Sequence, residues 1–137
     1  MALSVRNVEY FYIRVENEAA KAYELLATLA SEDINLLAFS AVPFGANHVE
    51  LTIFPDQSAN FLRLAAKFGW SVTGPQHAVL IQGDDHLGAL AEIQRTLLRA
   101  GVRIYASTGI TDGDGHFGYV IYLREGDHLA AAKTLSA

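Results

Sequence analysis

The chain repeats itself. Adding 68 to a residue number in the first half lands on a matching residue in the second half, without a gap. Ile13 meets Ile81, Glu24 meets Glu92, Leu29 meets Leu97, Ala38 meets Ala106, Gly45 meets Gly113, His48 meets His116 and Ile53 meets Ile121. Conservative pairs fall between them: Leu25 with Ile93, Ile34 with Val102, Leu36 with Ile104. Two copies of one supersecondary unit must therefore account for the 137 residues, a length that suits one ordinary domain or two small ones.

The hydrophobic period gives the contents of the unit. Residues 8–15 (VEYFYIRV) partly alternate and are rich in strand formers. Residues 19–30 read as a helix with Ala22, Leu25, Leu26 and Leu29 inward. Residues 34–39 form a second strand, 43–47 a turn, and 48–54 a cleanly alternating third strand ended by Pro55. A second helix runs over 58–68, with Phe61, Leu62, Leu64, Ala65 and Phe68 as its inner set. Residues 70–72 make a short fourth strand, and Gly74-Pro75 a turn. The same order then restarts: a strand at 78–82, a helix at 86–100, strands near 102–110 and 116–124 about the turn 111–115, and a helix at 127–135.

Strand, helix, strand, strand, helix, strand is the split β-α-β pattern. The predicted fold class is α+β: two ferredoxin-like βαββαβ units, residues 5–75 and 76–137, each an antiparallel sheet with helices on one face. Only Ser136 and Ala137 follow Leu135, so the second unit is expected to lack its last strand. The open edge would call for a partner chain, and a homodimer is expected.

One loop of the second unit carries chemistry. Gly83-Asp84-Asp85 breaks the apolar run Val79-Leu80-Ile81 with turn and N-cap residue types. The next helix shows Leu87, Leu90, Ile93, Leu97 and Leu98 at three- and four-residue spacings, and Gly101 stops it. Backbone N–H groups at a helix start lack intrahelical partners, and the helix dipole favours an anion there. A carboxylate can sit on the N–H groups near Leu87, Gly88 and Ala89. Asp85 can hold an ammonium group beside it. A free amino acid carries both groups. The alternative is an ordinary strand-to-helix turn with Asp84 or Asp85 as a plain N-cap. Replacing Gly88 by Val is expected to abolish binding and leave the fold intact.

Composition removes several function classes. The chain has no cysteine, so disulfides and thiolate metal sites are excluded. Formal net charge is -5 and no run of Lys or Arg occurs, which argues against nucleic acid as a partner. No apolar run approaches the roughly 20 residues of a membrane span. The residues from Met1 to Arg6 show no secretory h-region, and a cytoplasmic protein is expected. His48, His116, Asp112 and Asp114 invite a metal, yet repeat equivalents do not converge on one point, so no metal is expected. There is no cysteine nucleophile, serine elbow or dinucleotide fingerprint. His86 beside Asp85 is the one acid–base pair a small enzyme on this fold would use. Tyr10, Phe11 and Tyr12 on the first strand read as sheet-packing residues rather than a base-stacking platform.

The stretch His86-Leu87-Gly88-Ala89-Leu90-Ala91-Glu92-Ile93, with Leu97 and Ala100-Gly101-Val102-Arg103-Ile104, resembles the first half of an ACT domain. That family's pattern is Asp or Asn, one residue, Pro-Gly, a small or β-branched residue and Leu, then Gly-Ile/Val-Asn-Ile after the helix. The whole chain is similar to a tandem ACT protein. The resemblance implies a non-catalytic regulatory module, without cofactor, that binds a small free amino acid and modulates a partner enzyme or its own assembly. It implies a ligand between two units whose sheets run on into one another. By position it assigns ligand contacts to Asp85, His86, Leu87, Gly88, Ala89 and Arg103, and places Asn17 and Asn35 at the equivalents of Asp85 and Arg103. Leu87 replaces the family's Pro, Arg103 replaces its Asn, and Ala19-Ala20 replaces Pro-Gly in the first half. One competent loop per chain is expected, in the second half. The alternative function is a ligand-free structural or dimerisation module.

Overall fold

A computed structural model describes residues 3–136. Met1 and Ala2, which share in the reading of the chain start, and Ala137, the last residue after the final helix, lie outside the described residues.

The elements recur at the interval of 68. Strands β1 (Ser4–Glu16) and β4 (Val72–Asp84) are each 13 residues long and start 68 residues apart. Helix α1 (Ala19–Ser31) answers to α3 (Ala89–Arg99), and β2 (Leu36–Phe44) to β5 (Ile104–Thr111). Strand β3 (His48–Pro55) answers to β6 (His116–Leu123), and α2 (Ser58–Phe68) to α4 (Asp127–Ser136). Irregularities repeat too. The β2–β3 register shifts between Leu36 and Ala38, and the β5–β6 register between Ile104 and Ala106. Helix α1 ends with Ile34 N–H donating to Leu29 O at 3.0 Å, and α3 with Val102 N–H donating to Leu97 O at 2.9 Å. The architecture is α+β with antiparallel strand pairs, as the pattern predicts.

Two compact units divide the chain, and the division falls inside β1 and β4. One unit is Glu9–Gln76. Its strand order is β2-β3-β1-β4, using residues 9–16 of β1 and 72–76 of β4. Its core joins Phe11 and Ile13 of β1, Leu51 and Ile53 of β3, Leu25 and Leu29 of α1, and Phe61 and Leu64 of α2. Burying one such side chain is worth about 1.5–3 kcal/mol. Within α2 the inner set is Phe61, Leu64 and Ala65. Leu62 and Phe68, expected inward, are exposed: Leu62 lies off the buried stripe, and Phe68, the last residue of the helix, stacks on Trp70.

The other unit is discontinuous, formed by the described residues of Met1–Val8 and His77–Ala137. No strand follows α4 among the described residues. Residues 4–8 of β1 lie beside residues 77–84 of β4 instead, giving the order β1-β4-β6-β5. Leu3 and Val5 pack on the core of Val79, Ile81, Ile93, Leu97 and Ile121, and Arg6 reaches Gln82 at 3.5 Å. Within this unit the side of β4 away from β6 is therefore covered by β1. Both β1 and β4 are longer than their alternating cores suggest. Gly74-Pro75, read as a turn, lies inside β4 with a cis peptide bond. There β4 is the outer strand of its unit, where a residue without N–H costs least.

Candidate functional site

The loop between β4 and α3 begins with Asp85 N–H donating to Gly115 O at 2.8 Å, which ties it to the β5–β6 turn. Its first-half equivalent is Asn17 N–H donating to Asn47 O, also at 2.8 Å. The next step differs between the halves. Helix α1 takes Ala19 and Ala20 into its first turn, after the extended Glu18. Helix α3 starts later, at Ala89, because Gly88 sits in the left-handed region at φ 86° and is its N-cap, without a side-chain cap hydrogen bond. Only glycine takes that conformation without strain. Ala20 cannot follow it, and the two loops diverge at this residue. A Cβ at Gly88 meets no atom within 4 Å, so the glycine answers to backbone conformation rather than crowding. Gly88→Val would strain the turn itself. The expectation that it leaves the fold untouched does not hold.

Helix α3 buries Ala89, Ile93 and Leu97. Leu87, expected on the same face, precedes the helix and is fully exposed, and Leu98 lies off the buried stripe at 76% exposure. The His86 ring is held at both nitrogens. Nδ1 lies 3.2 Å from Asp84 O, and Nε2 lies 3.3 Å from Glu92 Oε2. These partners occupy the ring, so the Asp85–His86 pair weighed for catalysis is not a hydrogen-bonded acid–base couple.

Around this turn lies an open pocket of about 620 Å³, within the usual range for small-ligand sites. Asp85, His86, Leu87, Gly88 and Ala89 line it together, joined by Leu90, Ala91, Gly109, Ile110, Thr111 and Phe117. Every one of these residues belongs to the discontinuous unit. Most of the lining is apolar, and Asp85, His86 and Thr111 supply its polar side chains.

The other candidate residues are placed elsewhere. Arg103 is exposed just before β5 and is not among the lining residues. Asn17 lines a separate pocket in Glu9–Gln76, with Glu16, Glu18, Ala46, Asn47 and His48. Asn35 O accepts from Asp56 N–H at 2.9 Å.

Gly109, Ile110, Thr111 and Phe117 escape the sequence reading, although the repeat marks two of them. Leu90 and Gly109 stand where the first half has Ala22 and Ala41, and Gly83 and Phe117 where it has Val15 and Val49. In each pair one residue has grown while its neighbour has shrunk. A Cβ on Gly83 would lie 2.9 Å from Leu3 Cδ2 and 3.1 Å from Phe117 Cε1.

Asp112 closes the β5–β6 turn. Its carboxylate accepts from Asp114 N–H at 2.7 Å and His116 N–H at 3.1 Å, and meets His116 Nδ1 at 3.0 Å. The two backbone donors hold its carboxyl below the ordinary aspartate value. Among the described residues no three His, Asp or Glu side chains are placed to hold a metal ion. No described helix is long and apolar enough to cross a membrane.

Solved structures share this arrangement of elements. A protein of Bacteroides thetaiotaomicron, BT0572, superposes with a TM-score of 0.79 at 22% identity, over 94% of this chain and 88% of that one. The ligand-free regulatory subunit of aspartate kinase from Thermus thermophilus gives 0.69 at 14% identity, over 97% and 93%. A putative C-terminal regulatory domain of aspartate kinase from Porphyromonas gingivalis gives 0.57 at 17%, over 98% and 95%. The chain shares the fold of these aspartate kinase regulatory domains. At these identities the likeness establishes fold alone. No family model matches the sequence, and no curated protein matches it. The 620 Å³ pocket lies at the loop after β4.

Proposed function

We propose that this chain is a non-catalytic regulatory module that binds a small free amino acid at the β4–α3 turn and relays binding to a partner enzyme or to its own assembly. The pocket formed by Asp85, His86, Leu87, Gly88 and Ala89 with β5 supports this most directly. The ligand carboxylate sits on N–H groups of the Leu87–Gly88 turn, where the α3 dipole favours negative charge. The ammonium group faces Asp85, and the side chain lies along Leu90, Gly109 and Ile110. The first-half loop, with Ala20 in helical conformation, is not competent. Regulation follows only where the ligand favours one state of the module over another.

A thermal shift against each of the twenty amino acids at millimolar concentration tests the reading. A ligand at about 100 times its dissociation constant adds about 2.7 kcal/mol, enough to raise a melting point by several degrees. Twenty flat curves would refute amino-acid binding and leave a ligand-free dimerisation module.

A further inference from the structure

The repeat differs most between its halves where α3 faces β5. The Tyr119 hydroxyl accepts a hydrogen bond from Gln94 Nε2 at 2.7 Å and donates one to Ser107 Oγ at 2.9 Å. Tyr119 is 2% exposed, while Gln94 and Ser107 are exposed. At the equivalent first-half positions stand Leu26, Leu51 and Phe39. Those three pack together: Leu51 is fully buried, and Leu26 and Phe39 lie against the same apolar core. The first unit thus shows that the fold needs no polar group here. An apolar trio fills the space between helix and outer strand, and burying a phenol among hydrogen-bonded partners gives no clear stability advantage over it. None of the three lines the pocket itself, but the trio lies directly behind its Leu90–Gly109 wall. Tyr119 pairs with Gly109 across the β5–β6 ladder, and a Cβ on Gly109 would lie 3.3 Å from the Tyr119 ring and 2.9 Å from Leu90. Leu90 is one helical turn before Gln94, and Gly109 is two strand residues after Ser107.

Resting on the amino-acid reading above, we infer that Gln94, Ser107 and Tyr119 form the specificity end of the site, selecting a ligand side chain that ends in a neutral amide or hydroxyl. Hydrogen-bond accounting sets the chemistry. Tyr119 uses its donor on Ser107 and accepts from Gln94. The Ser107 O–H, the second Gln94 N–H and the Gln94 Oε1 remain for a ligand. They offer donors and an acceptor together, with no charge, which an amide or hydroxyl complements and an aliphatic chain does not.

The test is calorimetric titration of the full chain with glutamine, asparagine, threonine and serine, against leucine, valine and lysine, for the parent, Ser107→Ala and Gln94→Leu. Both substitutions are at exposed positions and leave the buried tyrosine in place. The parent is expected to prefer one of the first four, and each variant to weaken that ligand roughly tenfold while binding leucine no worse. Preference of the parent for leucine, valine or lysine, or unchanged affinity in both variants, would overturn the inference and leave amino-acid binding standing. A parent that binds none of the seven would overturn the inference, and one that also shows no thermal shift with any of the twenty would overturn both.

Discussion

Leu90 packs directly on the backbone of Gly109: a Cβ placed on that glycine would sit 2.9 Å from Leu90 Cδ1. The contact joins the first turn of α3 to the outer strand β5, across the wall of the pocket. Gly109→Ala would push Leu90 outward or β5 away. Overpacking of this kind typically costs about 1–3 kcal/mol. The ligand-dependent thermal shift should vanish with it. Gly109→Ala combined with Leu90→Ala recreates the first-half pair Ala22–Ala41 and should restore most of the stability. A single variant as stable as the parent would show that the contact yields freely.

Two adjacent leucines on α3 should behave oppositely. Leu97 is fully buried in the core with Ile93, Ile121 and Val79, whereas Leu98 is 76% exposed. Leu97→Ala should destabilise by about 2–5 kcal/mol. Leu98→Ala should stay within about 0.5 kcal/mol of the parent. Denaturant unfolding of both variants checks the pair, and equal losses would contradict the packing of α3.

Much of this was legible because a gapless repeat constrains itself. A bulge, a hairpin or a helix end read in one half is read again 68 residues later. The hairpin glycines Gly45 and Gly113, with φ of 70° and 79°, are such a pair. What stayed hidden was where β1 and β4 end. Leu3-Ser4-Val5-Arg6 alternates for only four residues before Asn7 interrupts it, too short a run to mark a strand by itself. The run is ordered by Leu3 and Val5 reaching a core whose other residues lie more than 70 positions away. The pocket loop was legible in composition, since Gly and Asp signal a turn, but its far wall was not. Gly109 and Phe117 matter for the space they leave or fill, and volume at a site emerges only when distant elements are brought together.

Stability should fall on mild acidification. His128, near the start of α4, stacks on His77 with ring centroids 4.3 Å apart, and its Nδ1 is buried without a hydrogen-bond partner. Desolvation lowers the His128 pKa from the ordinary 6.5, nearby His77 lowers it further, and Glu125 opposes the shift in part. The unfolded chain therefore takes up a proton that the folded chain resists. Above about pH 6.5 this group costs nothing; stability is lost as pH falls from 6.5 toward the lowered folded value, and the loss levels off below it. Melting temperatures from pH 8 to pH 5 should decline, and His128→Gln should flatten the decline. The Asp112 carboxyl, also lowered, acts in a separate window below pH 3.8. A decline unchanged in His128→Gln would assign the effect to other groups.

The outer strand of the discontinuous unit is β5, and it should pair with a second copy. All but the first of its residues are exposed, and its sequence, IYASTGIT, contains no charge and no proline. The equivalent strand β2 carries Pro43 and is half-buried along its first five residues. Edge strands are usually protected by charge, proline or cover, because their free N–H and C=O groups invite a new strand. Tyr105 and Ile110, at 61% and 74% exposure, add apolar surface to the same edge. A homodimer through β5 accounts for all of these features and would set the second chain beside Ile110 and Thr111 of the pocket wall. Light scattering should give twice the chain mass at micromolar concentration. Ile110→Lys should return the mass to that of one chain without lowering the melting point at high dilution. A parent that weighs one chain at every concentration would remove the dimer. A variant that stays dimeric would move the interface away from β5.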